Sequence, residues 1–483
     1  MPARQNIIPL WSAGMKGRSV NATTERRINL YLDRDPGSGD KSPLALYSRP
    51  GLERKYFKGS SGTYGGPIRG VSTANVTPYG GVGETVRGAQ GAHGLTGATL
   101  ERLLPSSDFL LSVVGPVQVA CLGVIALAVD GVTGYVLNNG TTMAEEGVTD
   151  FPASRSICTL AQRFIVDDPS AVGRFRYSDV LSFNFPALNF ATAESAEDPL
   201  SLVFSIRGEL LLFGTKTIEF WQPTSDPDLP FQAVIGSSEE WGLGFFDSVR
   251  DVNGTCMFVG RAGGAGQPQV CMLNGYQVQV VSTPDVDYAI GLEVAAGAVP
   301  CATVVTHSGH AWYVLNMKNT SFAYDTLNGT WCEWQTEGAR WAGQYTFTYR
   351  GITFVTDYRD GRVYVLDADR YQDDTAPILR QLYTRHVFSS LQRLTLDRLQ
   401  LDLEVGVGLS AGQGSEPLVN MAVSKDGGHT YGEERQRPIG AQGKYRVPVA
   451  WNGLGQGTDF TFRLTIPDPV KVVMLNGALV ARQ

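Results

Sequence analysis

The side chains able to do chemistry in this chain are few and scattered. Histidine occurs five times, at His93, His307, His310, His386 and His429, and only His307 and His310 stand close together. That pair spans a Ser-Gly turn rather than one face of a helix, a poor arrangement for zinc. Adjacent acids occur at Asp167-Asp168, Glu239-Glu240 and Asp373-Asp374. Neighbours in a strand point to opposite faces, so none of these pairs is by itself the carboxylate dyad of a glycoside hydrolase. The Gly-rich run 262–267 lacks the Gly-Lys-Ser/Thr of a phosphate loop and reads as a flexible loop. No Ser-His-Asp order or nucleophile elbow stands out. The expectation is no catalytic residue, no cofactor-binding residue and no metal ligand: not an enzyme, and no cofactor.

Six cysteines, Cys121, Cys158, Cys256, Cys271, Cys301 and Cys332, lie in or beside apolar strands, with no C-x-x-C pair. They read as buried reduced thiols, which suits assembly in a reducing cytoplasm. The sharpest local pattern is Ser424-Lys425-Asp426-Gly427-Gly428-His429-Thr430-Tyr431. It is similar to the Asp-box, Ser-x-Asp-x-Gly-x-Thr-Trp, with Tyr431 in the aromatic place. Asp426 would accept backbone N–H bonds across the turn, Gly428 would take positive φ, and Tyr431 would pack beneath. Sialidases carry several such boxes as structural hairpins. One copy here, with no arginine triad, predicts a structural hairpin of Ser424, Asp426, Gly428, Thr430 and Tyr431.

The elements that must position these residues are strands. Apolar strands open at Arg163, Glu209, Thr255, His310 and Gly351, about every 40 to 55 residues, within reach of propeller repeats. Asn-Gly and Asp-Gly dipeptides recur between them, as at Asn253-Gly254 and Asn328-Gly329, the strongest short hairpin signal. With 56 Gly and 25 Pro, the chain reads as many strands joined by tight turns and carries no long amphipathic helix. Beyond Asp369 the rhythm changes. Residues 371–377 read as a linker, and Leu399, Leu401, Leu403 and Val405 then alternate with polar residues, one face wet. The predicted fold is all-β: an irregular N-terminal arm over 1–60, a β-propeller of six or seven blade-like units over 61–372, and a C-terminal β-sandwich over 378–483.

Charge is uneven. Residues 1–58 hold eleven basic and five acidic side chains, a net +6 that leaves −13 for the remainder of a chain whose total is −7. The arm, with Arg18, Arg26, Arg27 and Arg34, reads either as solvated or as docking on an acidic partner or nucleic-acid backbone. The N-terminus has no sufficient apolar stretch for a signal peptide. Residues 109–129 are charge-free, but Gly115-Pro116 breaks them and acids flank them, so two buried strands are expected and no membrane span.

Beyond these readings, the chain resembles the packaged-DNA stabilization proteins of short-tailed bacteriophages, also called tail accessory factors or tail nozzle proteins. Ile28-Asn29-Leu30-Tyr31 followed by Tyr47-Ser48-Arg49-Pro50-Gly51-Leu52 is similar to the family's opening. Residues 208–221, a buried strand, a Gly-Thr turn and Thr217-Ile218-Glu219-Phe220-Trp221, look like its most distinctive element. Asp426-Gly427 with Tyr431-Gly432-Glu433-Glu434 resembles its late hairpin, with Glu433 where the family has Arg. The resemblance implies a virion part, assembled in the host bacterial cytoplasm. It implies a homo-hexameric ring below the portal-adaptor ring that extends the DNA channel, stabilises packaged DNA and serves in ejection. Its implied partners are itself, the portal-adaptor ring, a tail needle or plug, tailspikes or fibres, and double-stranded DNA passing without sequence-specific binding. The rival is a glycan-binding or glycan-hydrolysing propeller for host attachment, presenting Trp221, Trp241, Trp312, Trp331, Trp334 and Trp341.

Overall fold

A computed structural model describes residues 10–12, 19–34, 44–54 and most of 70–482, leaving out 77–82, 89–92, 97–98, 103–115, 139–141, 145–150 and isolated positions; for 71–102 and 135–144 it describes backbone alone. Seven sheet units follow one another. The first holds Val71–Val76, Gly83–Gly88, His93–Thr96 and Thr99–Arg102, and the second Gln118–Leu122, Ile125–Val129, Gly134–Asn138 and Thr142–Ala144. The third runs from Ile157–Leu160 to Phe190–Thr192, and the fourth from Leu200–Ile206 to Phe231–Ala233. The fifth is built on Thr255–Ala262, which pairs on one side with both Trp241–Leu243 and Arg250–Val252. The sixth runs from Cys301–His307 to Thr330–Glu333, and the seventh holds Gly343–Tyr349, Ile352–Asp357 and Val363–Asp367.

Local turn chemistry explains the rhythm seen in the sequence. The first and second strands of successive units are joined by short turns with left-handed residues: Ala161-Gln162 (φ 50° and 59°), Arg207-Gly208 (53° and 79°), Asn253-Gly254 (52° and 80°) and Ser308-Gly309 (49° and 81°). Two consecutive positive φ values match the right-handed twist of the flanking strands. The strands that open at Arg163, Glu209, Thr255 and His310 each begin directly after such a turn. One central cavity is lined by Gly70, Val117–Cys121, Ile157–Thr159, Phe204–Ser205, Val249–Asp251, Thr303–Val304 and Tyr345–Thr346. Gly70 lies so close to its neighbour that a Cβ there would meet the Val117 carbonyl oxygen at 1.9 Å. The charge-free run 109–129 contributes Gln118–Leu122 and Ile125–Val129, which turn at Gly123 (φ 59°). The Gly115-Pro116 pair expected to turn them precedes both strands, and residues 103–115 lie outside the described residues.

One helix, α1 (Pro284–Ala295), interrupts the strands, where none was expected. Thr283 caps it through Val286 N–H, Pro284 occupies its first turn, and Asp285 and Asp287 face the positive end of its dipole.

The N-terminal segment, read from sequence as a separate arm, is woven through the rest. Its strands are β1 (Arg26–Ile28), β2 (Leu30–Arg34), β3 (Leu44–Ser48) and β4 (Gly51–Arg54). β4 pairs with Val363–Asp367 and so completes the seventh unit. β2 and β3 join Val473–Arg482, Leu394–Leu403 and Val449–Gly457 in one sandwich sheet. The facing sheet holds Arg380–Tyr383, Asp459–Ile466, Leu418–Ser424 and Arg435–Pro438. β1 lies between Thr330–Glu333 of the sixth unit (parallel) and Arg380–Tyr383 of the sandwich (antiparallel), making one sheet across both domains. Leu394–Leu403 buries all five of its leucines and leaves its polar residues partly or fully exposed, as its alternation predicts. Residues 371–377, expected to be a linker, instead form a small hairpin, Gln372–Asp373 with Ala376–Pro377, laid against β4.

Leu10 and Trp11 are buried in the sandwich core beside Leu30, Leu32, Leu399, Trp451 and Phe462. Each such side chain contributes about 1.5–3 kcal/mol, against roughly 0–1 kcal/mol for an exposed ion pair. Burial, not surface charge, therefore anchors the start of the chain.

Arg49 locks the weave. Its side chain is fully buried and all five of its N–H groups have acceptors. Nε donates to Asn29 Oδ1 at 2.8 Å. One terminal nitrogen reaches the Pro50 carbonyl and Asp373 Oδ1, each at 2.9 Å. The other reaches the Gln335 carbonyl at 2.7 Å and Asp373 Oδ2 at 2.5 Å. Asn29, at φ 57°, also donates to the Leu379 carbonyl and accepts from Gln335 N–H, both at 2.8 Å. Replacing Arg49 by Ala leaves the Asp373 carboxylate in the interior without its cationic partner. The expected loss is about 3–5 kcal/mol, measured as a drop in the denaturant midpoint; Arg49→Lys, which cannot reproduce the fork, is expected to recover little of it.

Candidate functional site

The central cavity of the seven units has a volume of about 560 Å³. Its polar wall is bonded to itself. Asp247 accepts from Arg250 at 2.6 Å through one oxygen and from the Tyr345 hydroxyl at 2.7 Å through the other. Thr303 and Thr346 share a hydroxyl bond of 2.9 Å, and Gln118 accepts from Ile157 N–H at 3.0 Å. Burial, with the Asp247 charge, holds the Tyr345 phenol well above its ordinary value. Burial likewise pushes the Cys158 thiol up to about 12 and Cys301 up to about 11, which keeps them protonated and unreactive. These bonds tie neighbouring strand ends to one another. Tyr345→Phe removes the donor to a buried Asp247 oxygen, and a loss of about 1–3 kcal/mol in folding stability is expected from chemical denaturation.

Two of the three adjacent acid pairs divide between separate structural tasks. Asp167 accepts from Ser154, Ser156 and the Arg155 N–H, whereas Asp168 binds Arg174 at 2.7 Å. Asp373 holds Arg49, and Asp374 faces Arg54 and Arg362. His307 contacts Ser308 while His310 turns away to Asp325 at 2.8 Å. Among the described residues, no three His, Cys, Asp or Glu side chains gather as a metal site would need. The Gly-rich run is the turn after Thr255–Ala262, seated through Gly264 against the Thr215 carbonyl. No helix of the described residues is long and apolar enough to cross a membrane.

The hairpin residues come together at one end of the sandwich. Ser424 Oγ donates to Asp426 at 2.6 Å and accepts from Gly428 N–H at 2.8 Å. Asp426 accepts from the Thr430 hydroxyl at 2.6 Å and from Thr430 N–H at 3.0 Å. Gly427 and Gly428 take φ 67° and 88°. Tyr431 stacks edge-on against Tyr383 and reaches the Thr461 hydroxyl. The loop also holds the N-terminal segment. A Cβ on Gly428 would lie 2.4 Å from Thr24 Cγ2, and His429 meets Asn21 Oδ1 at 2.9 Å. The bonds from Ser424 and then Thr430 hold the Asp426 carboxyl well below the usual carboxylate range. A depressed value means the loop keeps this support above the ordinary carboxylate range and loses it only as pH falls through the folded value. Asp426→Asn is expected to speed amide exchange of Gly428 and Thr430 at neutral pH and to flatten the acid-side dependence.

The arginines expected as docking contacts are placed differently. Arg26 makes a two-pronged ion pair with Glu333, at 2.5 Å through each nitrogen. Arg27 is fully buried, donating to the Ser12 and Trp331 carbonyls and to Glu25. Both are spent inside the chain, which corrects the docking expectation for them. Arg34 ends β2 exposed, and Arg18 lies outside the described residues. Trp312, Trp334 and Trp341 are fully buried, Trp221 and Trp331 nearly so, and Trp241 alone keeps partial exposure. Sequence reading missed Arg49 as the lock; its one signal was its place in the Ser48-Arg49-Pro50-Gly51 turn.

Two family models match the chain. Residues 119–371 match the model described as the bacteriophage P22 Gp10 β-propeller, and residues 379–481 that described as the bacteriophage P22 Gp10 β-sandwich. No curated protein matches. Solved structures similar to the chain include the extracellular domain of the one component system BT4673 from B. thetaiotaomicron, at 8% identity and TM-score 0.42, over 83% of this chain and 49% of that one. The chain thus spans about half the length of that relative. The computationally designed Ika8 protein is similar at 12% identity and TM-score 0.39, over 66% of this chain and 100% of that one. The Cps50 (Swd1) β-propeller domain of Myceliophteria thermophila is similar at 10% identity and TM-score 0.39, over 65% and 99%.

Proposed function

The chain belongs to the bacteriophage P22 Gp10 family of phage stabilisation proteins, a tail and DNA-stabilisation component with a propeller and a C-terminal sandwich, and from that premise we propose that it is the nozzle subunit of a short phage tail. In this reading, copies form a homo-hexameric ring below the portal-adaptor ring, extend the DNA channel, hold the packaged genome and receive the needle and the tailspikes or fibres. The work is mechanical and no catalytic residue takes part.

The observation that carries the reading is the match of both domains in order, over most of the chain. The weave supports it. A part that bears load between head and tail needs its domains joined, and β1 joins them through continuous backbone pairing. The cavity supports a ring in particular. A duplex whose major groove alone is about 12 Å wide has no room in a cavity of about 560 Å³. DNA would therefore pass between copies, not through one propeller. The −13 balance after residue 58 suits a lumen that repels phosphates weakly, since tight Lys/Arg contacts would hinder passage.

The test is a native mass measurement of the purified chain with and without the portal-adaptor ring of its phage. Assembly of six copies on that ring is the expected result. A chain that never joins it would overturn the nozzle reading.

A further inference from the structure

Three of the five histidines touch the N-terminal segment. His386 sits between two acceptors. Its Nδ1 lies 2.8 and 2.9 Å from the two Asp459 carboxylate oxygens, and its Nε2 lies 2.8 Å from the Val20 carbonyl oxygen. A carbonyl and a carboxylate have no proton to give, so both bonds form only when both ring nitrogens carry one. His310 repeats the arrangement on the other side of β1. Its Nδ1 meets Asp325 at 2.8 Å, and its Nε2 faces Asp33 of β2 at 3.6 Å, an ion-pair distance. The ring is buried, stacked on Trp312 and edge-on to Tyr31. In both cases Nδ1 points to the body and Nε2 to the N-terminal segment. The two contacts bracket β1, one at Val20 and one at Asp33.

We propose that His386 and His310 are a pair of proton-dependent latches that hold residues 19–34 to the propeller and sandwich and release that segment as the imidazoles lose a proton. Geometry decides which bond is lost. The carboxylate at Nδ1 retains the remaining proton through a charge-assisted bond. Nε2 then turns a lone pair toward Val20 O or Asp33, and two acceptors face each other. His429 does not take part in the switch, because its partner is an Asn side chain that can donate or accept.

Charged groups stand near both rings. Around His386 the strand Asp459–Ile466 contributes Asp459, the hairpin loop brings Gly427 close with Asp426 beside it, Arg385 precedes it in the chain, and the Val20–Asn21 turn carries no charge. Around His310 stand Asp325, Asp33 and, across the turn, His307. Burial, the largest influence on His310, opposes its charge, but Asp325 and Asp33 together outweigh it and hold the ring above its ordinary value. A raised value means the latch contributes fully below the ordinary imidazole range of about 6.5 and is lost as pH rises through the folded value. The Arg49 lock involves no imidazole, so β1 keeps its central anchor while its flanks loosen.

Hydrogen exchange of the full chain across about pH 5.5 to 9.5, with rates corrected for intrinsic pH dependence, tests this. Protection of amides in residues 19–25 and 30–34 is expected to fall about tenfold with rising pH, while amides of Asp459–Ile466 stay constant. His386→Gln is expected to leave residues 19–25 weakly protected and independent of pH, with residues 30–34 unchanged; His310→Gln reverses the two. Flat protection of the native chain over this range would overturn the proposal, as would variants that keep the native pH dependence. If a variant does not fold, nitrogen chemical shifts of the native imidazoles decide. His386 protonated on both nitrogens at the acid end and on Nδ1 alone at the alkaline end supports the latch; a ring neutral throughout, or one keeping its proton on Nε2, overturns it.

Discussion

The fold depends on one buried ion pair that links residues far apart in the chain. Arg49 and Asp373 stand 324 positions apart, and the fork between them is fully desolvated. Two charges removed from water are costly unless every remaining donor and acceptor is met. Here each is met, by Asn29, Pro50, Gln335 and Thr336. The geometry that satisfies Arg49 thereby fixes where β1 leaves, where β4 begins and how the hairpin at Gln372–Asp373 lies. Closure of the ring at its seventh unit, completion of the sandwich by β2 and β3, and the junction between them all meet at this point.

That constraint explains the economy of chemistry elsewhere. Polar groups are abundant, yet almost all serve to fasten one strand end to another. Asp198 accepts from the backbone N–H groups of Thr215, Lys216 and Thr217, which fixes the turn before Ile218–Pro223. Glu219 takes Ser195 on one oxygen and Trp221 Nε1 on the other. Arg380, fully buried, is solvated by the carbonyls of Ile378, Asp468 and Val470, tying the first sandwich strand to a distant turn.

Much of the fold was legible because its signals are local. The alternation of Leu399, Leu401 and Leu403 predicts a half-buried strand whatever its partner. The spacing of strand openings reflects the short turns at 161–162, 207–208, 253–254 and 308–309, of which Asn253-Gly254 and Ser308-Gly309 carried a sequence mark. α1 was missed although Thr283-Pro284-Asp285 is a helix start, because the periodicity that follows is weak and strands dominate both flanks. The docking arginines were misread for a different reason. Net charge counts Arg26 and Arg27 without showing that Glu333 and the Trp331 carbonyl wait for them some 300 residues away.

The sequence by itself determined the strands, many of the turns and the two-domain order, since each rests on residues within a few positions of one another. Tertiary structure alone decided which strand closes the ring, which sheet crosses between domains and which charges are buried. Those depend on partners hundreds of residues apart, and no local pattern of residue types specifies a pairing at that distance.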